Sequence, residues 1–177
     1  NILGLFTYLL AVTLGSIWLA YFHERRDIIS AGLGVYAFYS LIHLDVSVFD
    51  RTNTLMLAFF FVFGALFAAA NITNHIKTKS GEHFSDIMVA LTNNALVLIW
   101  TMTLAPVPLK IGLLLAWAAV FAGCAFACRI FGNTKELWSI YYGSAITLLA
   151  IATAEQFGGN TLIVAFTLEA LAIIAAT

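Results

Sequence analysis

The sequence predicts an all-α, polytopic transmembrane bundle of about seven spans arranged as successive helical hairpins, and three observations lead there. Hydrophobic residues make up 62% of the chain and charged residues 10%, whereas a soluble domain is about half apolar and about a quarter charged. The mean hydropathy is +0.98. The apolar residues fall into unbroken runs rather than one-sided stripes, and each run approaches the ~20 residues that cross a bilayer as a helix. The basic residues stand between the runs, concentrated at every second connection, as cytoplasmic loops require.

Span one is read from about Ile2 to Phe22, with neither the basic leader nor the small-residue cleavage site of a signal peptide. The loop His23 to Asp27 follows with Arg25 and Arg26, which put it in the cytoplasm. Span two, Ile28 to about Leu44, carries Gly32 and Gly34 and leads into an outer loop with Asp45, Asp50 and Arg51. Span three, Thr54 to about Ile72, is rich in phenylalanine and exits into the inner loop Asn74 to His83, which contains Lys77 and Lys79.

Span four, Phe84 to about Leu104, ends where Pro106 and Pro108 break the helix and force a tight outer turn. Span five, Leu109 to about Ile130, leaves through Arg129 and Lys135, with Asn133 and Glu136 at capping-box spacing. Span six, Leu137 to about Ala154, returns to the outer side. Span seven starts at Thr161.

Six basic residues on the proposed inner side (Arg25, Arg26, Lys77, Lys79, Arg129, Lys135) face two on the outer side (Arg51, Lys110). The first span therefore enters from outside and the last ends on the cytoplasmic side. Trp18, Tyr21, Trp138, Tyr141 and Tyr142 fall near the inner boundary, where an aromatic belt is expected. Ala11/Gly15, Gly64/Ala68 and Gly123/Ala127 are small-xxx-small pairs in the odd-numbered spans. Such pairs let helices approach closely in lipid, so Gly15, Gly64 and Gly123 are expected at helix contacts.

The net charge is −1 and no basic stripe exists, which removes support for nucleic-acid binding. Cys124 and Cys128 lie four apart on one helix face and read as small packing residues. No Gly-x-Ser-x-Gly, His-Glu-x-x-His, P-loop or dinucleotide glycine pattern occurs. No catalytic residue, metal ligand or cofactor is therefore expected. A seven-helix metal hydrolase would need His and Asp ligands converging at one level, and the last run has no histidine.

The polar focus expected inside the membrane is Glu169, with Asn94 and Asn93. Glu169 shares a face with Ala165, Ala172, Ile173 and Ala176, which turns it toward other helices. Helix rise puts Glu169 roughly 12 Å and Asn94 roughly 16 Å below the outer turns, so Asn94 is the favoured partner. A hydrogen-bonded glutamic acid that fixes packing and a proton-coupled or substrate-contacting site both fit this pattern. His75 and His83 read as solvated residues of an inner loop.

The runs Asn93 to Leu104 and Ile146 to Thr177 resemble the large bacterial membrane proteins catalogued as domain of unknown function 2339. The matching positions are Asn94, Ala95 and Leu96, then Gln156, Gly159, Leu168, Glu169 and Ala170. Where that family often has a proline and an Asp-Gly before the last helix, this chain has Ala154 and Gly158-Gly159. The resemblance implies a long series of membrane helices in the bacterial inner membrane and no established activity. The chain begins without methionine and stops inside an apolar run. Residues 1–177 are accordingly expected to form one helical region of a larger protein, with the bilayer and flanking helices of the same protein as partners and any small-molecule substrate unknown. The expected function is a structural or assembly module of the bacterial envelope, the alternative a transporter or channel-like module built around Glu169.

Overall fold

The computed structural model describes residues 2–23, 27–47, 53–78, 84–132, 135–157 and 161–167. They form helices α1 (Ile2–His23), α2 (Asp27–Ser47), α3 (Asn53–Thr78), α4 (Phe84–Leu104), α5 (Val107–Phe131) and α6 (Lys135–Gln156), followed by a helical segment over 161–167. The described residues contain no strand. The chain is an all-α bundle. Five helices, α1 and α3 to α6, are long and apolar enough to cross a membrane, while the apolar stretch of α2, Asp27–Ile42, is shorter.

Each helix packs most extensively on its neighbour in sequence, α1 on α2, α3 on α4 and α5 on α6. This is the hairpin arrangement that the short polar connections predict. The α4 to α5 turn follows from proline chemistry: Pro106 caps α5 in an extended conformation (φ −62°, ψ 144°), and Pro108 lies in the first turn. There its missing N–H costs nothing. The Pro106 carbonyl accepts from the Leu109 and Lys110 amides at 2.9 and 3.0 Å.

The hairpin α3–α4 is the centre of the bundle, since it contributes to both apolar clusters. One cluster joins α1 to α4 through Phe6, Leu33, Tyr36, Phe63, Phe67 and Trp100. The other joins α3 and α4 to α5 and α6 through Ala68, Val97, Leu114, Trp117, Phe121 and Tyr141. The aromatics of α3 serve both sides. Phe60 stacks on Trp100 with ring centroids 3.8 Å apart, Phe63 on Tyr36 at 4.4 Å, and Phe61 on Trp117 at 5.4 Å. Such pairs add about 0.5 to 1.5 kcal/mol each beyond the area they bury.

Of the three glycines expected at helix contacts, Gly64 is at one. A Cβ built there would stand 2.9 Å from Val97 Cγ2 and 3.0 Å from Trp117 Cη2. Gly15 and Gly123 are exposed, with none of the described residues within 4 Å of a built Cβ. The small-xxx-small spacing marks a narrow helix face but does not say whether a partner meets it. The aromatic belt also needs correction at one position. Trp18 and Tyr21 are exposed, but Tyr141 is turned wholly into the bundle, where Asn71 holds its hydroxyl.

Candidate functional site

The buried amide, imidazole and carboxylate side chains gather at two levels, and α4 supplies residues to both. At mid-span, Asn93 and Asn94 are 1% and 7% exposed. Successive residues point about 100° apart on a helix, so the two amides reach different neighbours. Asn93 Nδ2 donates to the Gly64 carbonyl of α3 at 3.0 Å. Asn94 Nδ2 donates to Ser144 Oγ of α6 at 2.7 Å. The Oδ1 atoms of both asparagines are buried with no hydrogen-bond partner among the described residues.

Glu169 lies outside the described residues, and so does its expected pairing with Asn94. What the structure supplies to Asn94 is a hydroxyl. Ser144 accepts that bond while passing its own proton to the Ile140 carbonyl at 2.9 Å.

The second level lies near the end of the bundle where α1, α3 and α5 finish together. Lys77, in the last turn of α3, donates to the Tyr21 carbonyl of α1 at 2.7 Å and sits 4.1 Å above the Tyr21 ring. His75 of α3 abuts Gly132 at the end of α5, where a built Cβ would stand 2.9 Å from His75 Nε2. Asn71, Asn74, His75 and Asp86 are all buried here. Asn71 Nδ2 donates both to the Asp86 carbonyl of α4 at 3.0 Å and to Tyr141 Oη of α6 at 3.1 Å. His75 Nδ1 stands 3.9 Å from Asp86 Oδ2.

Sequence reasoning misses this second level. It ends span three near Ile72, but α3 continues to Thr78, so His75 is a buried helix residue rather than a solvated loop residue. A signal is available in the spacing. Positions 71, 74 and 75 continue the i, i+3, i+4 register of Phe60, Phe63, Gly64 and Phe67, the face that meets the bundle.

The basic residues used to orient the chain divide in the same way. Arg25, Arg26 and Lys79 lie outside the described residues. Arg129 sits over the Trp138 ring at 5.8 Å, and Lys135 opens α6 at the same end. Among the described residues no group of three or more His, Cys, Asp or Glu side chains is placed to hold a metal ion. The two cysteines are free and buried in the α5–α6 core.

Chemically, the two levels tie helices together. Asn93 joins α4 to α3, Asn94 joins α4 to α6, and Asn71 joins α3 to both. Comparison with family models, with curated proteins and with solved structures finds no match to this chain.

Proposed function

We propose that the chain is a membrane-embedded helical module with a structural or assembly role, carried by the bacterial inner membrane and belonging to the family catalogued as domain of unknown function 2339. The observation that supports a structural role is the use made of the buried amides. Asn71, Asn93 and Asn94 each donate across a helix interface. Interhelical hydrogen bonds of this kind are worth about 0.6 kcal/mol on average and up to about 1.7 in membrane bundles.

The orientation proposed has the first span entering from outside and the last ending in the cytoplasm. Support comes from Lys77, Arg129 and Lys135 near the end where the odd-numbered helices finish. Family membership rests on the stretches around Asn94 and Gln156.

The test is reconstitution of the full-length protein in liposomes with paired assays of stability and solute flux. Asn71→Ala should lower the unfolding temperature, and no flux above protein-free liposomes should appear. Solute flux that Asn71→Ala leaves intact despite lowered stability would overturn the structural role.

A further inference from the structure

Along one face of α3 the side chains change from apolar to hydroxyl to cation as the helix nears its end, where Leu66, Ala69, Thr73 and Lys77 follow at helical spacing. The first three line a cleft of about 460 Å³ whose other wall is α1, through Ile17, Trp18 and Tyr21. Its lining is mostly aliphatic and aromatic, and among the described residues no charged side chain belongs to it. Lys77 is exposed, and its Nζ lies 4.1 Å from the centroid of the Tyr21 ring, part of the cleft wall. The ammonium therefore stands at the polar end of the cleft, against its wall and open to solvent.

An ammonium has three N–H donors, and the Tyr21 carbonyl takes one. Among the described residues no carboxylate pairs with it. From Leu66 to Lys77 the helix rises about 16 Å at ~1.5 Å per residue. One leaflet of a bilayer has a hydrocarbon thickness of about 15 Å, half of the ~30 Å core. An acyl chain with its tip beside Leu66 thus brings its ester to the level of the exposed Thr73 hydroxyl and its phosphate to Lys77. A neutral lipid would cover the apolar walls and leave the cation without a counter-charge. A soluble anion would answer the cation and leave the walls bare. A lipid of net negative charge does both.

We propose that the α1–α3 cleft binds one acyl chain of an acidic glycerophospholipid, whose phosphate is held by Lys77. This site rests on the helices lying in a bilayer and is independent of the side from which they enter.

The test places the full-length protein in nanodiscs containing phosphatidylglycerol or phosphatidylcholine with the same diazirine-bearing acyl chains. Labelling of α1 and α3 along the cleft should be about five-fold stronger with phosphatidylglycerol, the factor that one basic residue confers near an acidic lipid surface. Lys77→Gln keeps an N–H for the Tyr21 carbonyl and removes the charge, so the preference should vanish. Lys77→Arg should retain it. Ala69, exposed on the cleft wall, provides a second variant. Ala69→Phe fills the cleft from a surface position, so labelling there by both lipids should fall several-fold while thermal stability holds.

Equal labelling by the two lipids, a preference that survives Lys77→Gln, or unchanged labelling in Ala69→Phe would overturn the proposal. Loss of the preference on adding inorganic phosphate at fixed ionic strength would also overturn it, assigning Lys77 to a soluble anion. So would label on other helices but none at the cleft, since another segment of the protein would then cover that face while the membrane-embedded role stood. Absence of label from every helix would overturn both the site and that role.

Discussion

Asn71 and Tyr141 are seventy residues apart in sequence and 3.1 Å apart in space, amide nitrogen to phenolic oxygen. That bond ties the central hairpin α3–α4 to the α5–α6 hairpin. Through its second bond, to the Asp86 carbonyl, Asn71 also closes its own hairpin. One side chain therefore sets the relation of three helices. Asn71→Ala should cost about 1 to 3 kcal/mol of stability, because the buried Tyr141 hydroxyl loses its donor and the Asp86 carbonyl one of its bonds. Tyr141→Phe should cost less, since the amide keeps its bond to Asp86; a larger loss for the phenylalanine variant would contradict this.

Gly64 separates crowding from mere smallness. Gly64→Ala drives a methyl group against Val97 and Trp117 and should destabilise by about 1 to 3 kcal/mol, as overpacking of a fitted core does. Gly15→Ala and Gly123→Ala meet none of the described residues within 4 Å and should be neutral or gain up to about 1 kcal/mol from helix propensity. Thermal unfolding in detergent measures all three, and equal losses would refute the distinction.

Gly132→Ala tests the close approach at the end of α5. The new methyl would stand 2.5 Å from the Cys128 carbonyl and 2.9 Å from His75 Nε2, so the helix end or His75 must move. The histidine ring resonances should shift in this variant while those of His23, at the end of α1, stay unchanged. Unchanged His75 resonances would show that the contact is absent.

Orientation is checked with single cysteines in a background lacking Cys124 and Cys128. Val107, 80% exposed at the α4–α5 turn, and Phe131, 63% exposed at the end of α5, lie at opposite ends of one helix. An impermeant thiol reagent applied to intact cells should label Val107→Cys and spare Phe131→Cys. The opposite pattern would invert the proposed topology.

The architecture is legible in the sequence because its causes are local. Runs of apolar residues, polar connections and the Pro106 turn specify helices and hairpins without reference to partners. The burial of Asn94 is legible too, since an amide in an apolar run must face protein. Its partner Ser144 is not, because a pairing between helices depends on their relative rotation. The exposure of Gly15 and Gly123 is hidden for the same reason. His75 is misread on composition: it stands among Asn74, Lys77 and Lys79, and a polar neighbourhood outweighs the helical register that buries it.

The most direct test of polar cross-helix bonds as the fastening of this bundle is a double-mutant cycle on Asn71→Ala and Tyr141→Phe, measured by reversible unfolding in bicelles. A favourable coupling of about 0.6 to 1.7 kcal/mol is expected between the two positions. Strict additivity, a coupling within about 0.3 kcal/mol of zero, would contradict it.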